Sequence, residues 1–103
     1  MKTVSMTKIT KLLNENGIKA QFCMSGGNCG TIYIGETDAD GYAEFAVGPS
    51  NYSLDEAWTD LCWGKDDCGE SDPYFFENYN VEFTEENVAK LIIADYNKSK
   101  VSA

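Results

Sequence analysis

Residues 31–47 carry an alternation that leaves few folds open to this chain. Thr31-Ile32-Tyr33-Ile34-Gly35-Glu36 places Ile32 and Ile34 two apart, and Tyr42 to Val47 places Ala43, Phe45 and Val47 likewise, with Asp38-Ala39-Asp40-Gly41 between. Successive side chains on a strand point to opposite faces, so each run buries one face, and Asp-Gly supplies the tight reversal joining them. A third strand precedes the pair over residues 18–25, with Ala20, Phe22 and Met24 on one face. The intervening Gly26-Gly27-Asn28-Cys29-Gly30 is rich enough in glycine to turn through positive φ angles. A three-stranded antiparallel meander is the expected centre of the fold.

Helical stripes flank it. Met6, Ile9, Leu12 and Leu13 predict a helix over residues 5–16, capped by Ser5 or Thr7 and stopped at Gly17. Thr84 caps a last helix with Glu85 and Glu86 in its first turn and Val88, Leu91, Ile92 and Tyr96 along its apolar face. Between sheet and last helix, Gly48-Pro49-Ser50-Asn51 breaks the alternation. Ser53-Leu54-Asp55-Glu56 then fits a capping box ahead of Ala57, Trp58 and Leu61, which predicts a short helix over 54–62, with a fourth strand as the alternative. Residues 64–72 read as an exposed polar loop and the aromatic stretch 74–83 as a further strand. The expected class is α+β. One domain, residues 1–103, holds a three- to four-stranded antiparallel meander with the N- and C-terminal helices packed on one face, and residues 1–4 and 98–103 fray.

Charge is distributed as unevenly as hydrophobicity is regular. Residues 36–86 hold 15 of the 17 carboxylates and one lysine, Lys65, while the total is −9 and Arg and His are absent. A disordered acidic tail would lack Trp58, Trp63 and the run Tyr74-Phe75-Phe76, so the charge is mounted on a folded surface. Nucleic acid is repelled by such a surface, and a protein that normally holds nucleic acid is attracted to it. The N-terminus has no apolar stretch of the kind a signal peptide needs, and no run approaches the ~20 apolar residues of a membrane span. The expectation is a soluble cytoplasmic protein that contacts neither membrane nor nucleic acid directly, with its cysteines reduced.

Catalytic and metal chemistry is poorly supplied. Without His no Ser-His or Cys-His pair exists, without Arg there is no bidentate phosphate clamp, and no carboxylate pair stands out, so no enzyme is expected. Cys23-x5-Cys29 and Cys62-x5-Cys68 repeat one spacing, but zinc ligand pairs usually stand two to four residues apart. Unremarkable thiols are expected ahead of disulfides or a zinc site. Glu36-x-Asp38-x-Asp40-Gly41 opens like a calcium loop, yet Val47 stands where a bidentate Glu belongs. The glycines of residues 26–30 lack the Lys and the following helix of a phosphate-binding loop. No cofactor is expected.

Three segments carry a resemblance: Gly26-Gly27-Asn28-Cys29-Gly30-Thr31-Ile32-Tyr33-Ile34-Gly35-Glu36, Ala46-Val47-Gly48-Pro49, and Trp63-Gly64-Lys65-Asp66-Asp67-Cys68-Gly69-Glu70-Ser71. They resemble stretches in small acidic phage-encoded proteins, a class that includes anti-restriction and anti-CRISPR inhibitors, some of them DNA mimics. The resemblance implies a role at the phage–host boundary, in the host cytoplasm, and brings no catalytic residues with it.

Charge and resemblance together lead to one expectation: a protein inhibitor that presents carboxylates in place of phosphates to a basic nucleic-acid-binding protein or complex of host defence. The residues expected to face it are Asp38, Asp40 and Glu44 from the hairpin, Asp55, Glu56 and Asp60, then Asp66, Asp67, Glu70 and Asp72 from the loop, with Trp63 and Tyr74 as apolar anchors. If extended, Asp38 and Asp40 would stand about 6.6 Å apart, near two ~3.4 Å steps of a nucleic-acid strand. An immunity protein against a basic nuclease toxin and a cysteine-based metal or redox module are the alternatives. A homodimer is left open.

Overall fold

A computed structural model describes residues 4–24, 30–48, 57–58, 60–66 and 72–101. The chain forms β1 (Val4–Ser5), α1 (Met6–Glu15), β2 (Ala20–Met24), β3 (Gly30–Ile34), β4 (Phe45–Gly48), β5 (Ala57–Trp58), β6 (Cys62–Lys65), β7 (Tyr74–Phe75), a 3₁₀ turn (Phe76–Asn78) and α2 (Glu85–Val101). Strands β2-β3-β4-β6-β7 make one antiparallel sheet in that order, and β1 pairs with β5 in a separate two-stranded ribbon. The class is α+β, as expected. The main sheet has five strands where three or four were expected.

Each helix is bounded by its own side chains. Ser5 caps α1 by accepting the Lys8 N–H at 3.3 Å, and Met6, Ile9 and Leu13 are buried along one stripe. The helix closes where Gly17 takes φ 80° and donates to the Asn14 carbonyl while Ile18 donates to that of Leu13, a left-handed exit that glycine makes without strain. Thr84 caps α2 by accepting the Asn87 N–H at 3.1 Å. Glu85 reaches across to accept the Ser5 N–H at 2.9 Å, so the two helices start side by side and run in the same direction.

The sheet turns one face to both helices. Cross-strand partners Phe22, Ile32, Val47, Trp63 and Tyr74 form one inward row, and Ala20, Ile34 and Phe45 a second. Ile32, Ile34, Phe45 and Val47 are fully buried, against Met6, Ile9, Leu13, Val88, Ile92 and Tyr96. Each such aliphatic or aromatic side chain stabilises the fold by roughly 1.5–3 kcal/mol relative to its exposure. The Phe45 and Tyr96 rings stand 5.6 Å apart, which joins the sheet to the far end of α2.

Five expectations need correction. The helix over 54–62 does not form: Ala57–Trp58 and Cys62–Lys65 are strands, while residues 54–56 and 59 lie outside the described residues. Leu61 and Trp63 are both 1% exposed with Cys62 turned to the opposite face between them, a period of two that a helix cannot satisfy. The same strand takes Gly64 and Lys65 from the loop expected over 64–72. The strand expected over 74–83 lasts two residues, because the 3₁₀ turn swings Phe76 into the core beside Phe83, ring centroids 4.7 Å apart. The strand expected from Tyr42 begins at Phe45. Of the fraying expected over 1–4 and 98–103, Val4 is instead buried in β1 and 98–101 are helical, while residues 1–3 and 102–103 lie outside the described residues.

Candidate interaction surface

Antiparallel pairing brings distant carboxylates to one end of the sheet. The connection from β3 to β4 leaves the sheet beside the point where β6 ends, since Phe45 lies opposite Lys65. Glu36, Asp38, Asp40 and Glu44 therefore share one end of the sheet with Asp66, and Asp72 returns to the same end ahead of β7. The helices finish there too. A polar cleft of about 260 Å³ lies among Gly17, Lys19, Glu36, Glu44, Tyr96 and Lys100.

Three of these carboxylates hold backbone. Asp38 Oδ1 accepts the N–H groups of Asp40 and Tyr42 at 2.9 and 3.0 Å. Glu44 accepts the Glu36 N–H at 2.7 Å, and Asp66 accepts the Ala43 N–H at 2.9 Å. These bonds explain why β4 starts late: donors that would have extended the ladder are taken by side chains. Gly35, at φ 87°, is required beside them, because a Cβ would collide with the Glu44 carboxylate and stand 2.8 Å from Tyr96 Oη. Gly41, at φ 91°, donates to the Asp38 carbonyl and closes the turn. The turn removes the extended Asp38–Asp40 spacing that matched a nucleic-acid strand.

The other expected site residues divide. Asp40 and Asp72 are exposed at the same end, whereas Asp60 is half-buried at the opposite end, ahead of β6. Asp55, Glu56, Asp67 and Glu70 lie outside the described residues. Trp63 is not an exposed anchor: it is 1% exposed and part of the core, and half-buried Tyr74 packs against that core. Cys23 and Cys62 sit on the outward face with β3 and β4 between them, so their Cα atoms are about 14 Å apart at ~4.8 Å per strand. They cannot bridge each other or share one zinc ion. Cys29 and Cys68 lie outside the described residues, and among the described residues no three His, Cys, Asp or Glu side chains could hold a metal. Burial, with Asp60 nearby, pushes the Cys62 thiol up from its ordinary value.

One polar group that sequence reasoning missed is Asp95. It is 8% exposed, and its Oδ2 accepts Trp63 Nε1–H at 2.8 Å and the Tyr79 hydroxyl at 2.5 Å. The Trp63 and Tyr79 rings stack at 5.9 Å. Burial, then the bond to Asp95 and its charge, pushes the Tyr79 phenol well above its ordinary value. The available signal was positional: Asp95 falls seven residues after Val88 and one before Tyr96, on the apolar stripe of α2.

Comparison of the chain with protein-family models, curated proteins and solved structures found no match. Among the described residues no helix is long and apolar enough to cross a membrane.

Proposed function

We propose that the protein is a stoichiometric inhibitor that occupies the nucleic-acid-binding surface of a basic protein with a fixed array of carboxylates. The observation that supports this reading is the convergence of Asp38, Asp40, Glu44, Asp66 and Asp72 on one end of the sheet. Hydrogen bonds to backbone N–H groups fix the position of a carboxylate, so less ordering is left to be done on binding. The array steers a basic partner from a distance and then pairs with its lysines and arginines. The resemblance to phage-encoded inhibitors makes restriction endonucleases and RNA-guided nucleases the targets to test first.

The test is direct binding to purified members of both classes across a salt series, with duplex DNA as competitor. The expected result is capture at about 100 mM salt, release by a salt step, and displacement by DNA. Affinity unchanged up to about half-molar salt, or simultaneous binding of DNA and this protein, would sink the proposal.

A further inference from the structure

The face of the main sheet turned away from the helices carries no charge across its strands. Its outward residues, read across cross-strand partners, are the row Gln21-Tyr33-Ala46-Gly64, the pair Cys23-Thr31 and the row Gly48-Cys62-Phe75. Tyr33 is 36% exposed, and among the described residues no helix covers this face. The small residues leave a groove of about 250 Å³ among Thr31, Ala46, Gly48, Cys62, Gly64 and Pro73, with Lys65 at the end of β6 also in its lining. Among the described residues no atom stands within 4 Å of a Cβ added at Gly48. Immediately beyond the strands at one end stand exposed Asp38, Asp40, Glu44 and Asp72.

We propose that this groove seats an aromatic or aliphatic side chain that the basic target carries within a lysine- or arginine-rich surface. The inference rests on the inhibitor reading above and names the apolar half of the same interface. Interfaces put a desolvated apolar anchor at the centre and charge at the rim, and a groove of small residues with Lys65 and exposed carboxylates at one end has that form. Charge complementarity selects the occupant. A second copy would bring two chains of net charge −9 and the same acidic borders together, whereas a basic partner neutralises them.

The experiment uses the full chain, ¹⁵N-labelled, and two synthetic peptides: one of arginines around a single tryptophan, and one of arginines with serine in its place. The tryptophan peptide should move the amides of Tyr33, Ala46, Gly48 and Gly64, while the serine peptide moves only residues 36–44 and Asp72. Gly48→Leu, whose Cβ meets no described atom within 4 Å, should weaken the tryptophan peptide about tenfold and leave the serine peptide unchanged. Unchanged amide shifts at Ile32, Phe45 and Ile92 verify that the variant is folded, and Ala46→Leu serves as the second variant. Shifts confined to the acidic end with the tryptophan peptide, no binding of that peptide, or equal affinity for Gly48→Leu would overturn the proposal. So would a dimer that Gly48→Leu dissociates, which would give the face to a second copy. If a nuclease is captured and displaced by DNA but Gly48→Leu binds it equally well, this face is wrong and the inhibitor reading stands. If the tryptophan peptide binds in the groove but no nuclease is captured, the inhibitor reading fails instead.

Discussion

Asp95 and Asp38 do the same chemistry in two different solvents. Each carboxylate accepts two hydrogen bonds, Asp95 from Trp63 and Tyr79 and Asp38 from the N–H groups of Asp40 and Tyr42. Asp95 is buried on the apolar side of α2, against Trp63 of the sheet, and Asp38 is exposed in a turn. Water can replace Asp38 as acceptor at little cost, while the donors facing Asp95 have no such substitute. The comparison separates two kinds of acid in an acidic protein: one fixes the fold, and the others shape a surface while remaining available to a partner.

The largest effect should come from Asp95→Ala, which strands two donors around a cavity and should destabilise the fold by about 3 kcal/mol in urea unfolding. A loss below about 1 kcal/mol would mean that the site rehydrates and the contrast with Asp38 is false. Next comes Gly35→Ala, at about 2 kcal/mol, from its left-handed φ and the collision with the Glu44 carboxylate. Asp66→Ala should lose about 1 kcal/mol and speed hydrogen exchange at Ala43. Asp40→Asn should leave stability within about 0.5 kcal/mol while flattening the salt dependence of target binding.

Alkaline titration sharpens the same contrast. The raised Tyr79 phenol keeps its proton in the folded chain at pH values where the unfolded chain, with an ordinary phenol near 10.0, releases it. The resulting stability is fully present below pH 10.0 and is lost as pH climbs toward the higher folded value. Tyr79→Phe should remove that part of the alkaline loss, as urea midpoints at pH 9 and 11 would show. An unchanged slope would mean that the phenol ionises as easily folded as unfolded.

What the residues revealed in advance was local. Ile32, Ile34, Ala43, Phe45 and Val47 announced two strands, and the stripes beginning at Met6 and Val88 announced both helices, because each pattern repeats within a few residues. The region around Trp63 misled because two local signals competed. The Ser53–Glu56 capping box pointed to a helix, and the Leu61–Trp63 alternation that won is only three residues long. The bond from Trp63 to Asp95 spans 32 residues of chain, and that from Ala43 to Asp66 spans 23, so neither leaves a local trace. For the same reason the acidic block disclosed its charge but not which of its members the backbone would occupy.

The end of α1 has a consequence beyond its own helix. Asn14 meets both backbone groups of Ala20, accepting its N–H and donating to its carbonyl, each at 3.1 Å. The Lys19 carbonyl, one residue earlier, bonds Gly35 within the sheet, so the Ala20 groups point outward from the exposed border of β2. An amide side chain thus stands where the first rung of a sixth strand would form. Sheet borders left open recruit other chains and grow into aggregates, and proteins commonly guard them with prolines or lysines. Here a single asparagine stops the ladder at its first step, which helps an otherwise ordinary edge to stay solitary at high concentration.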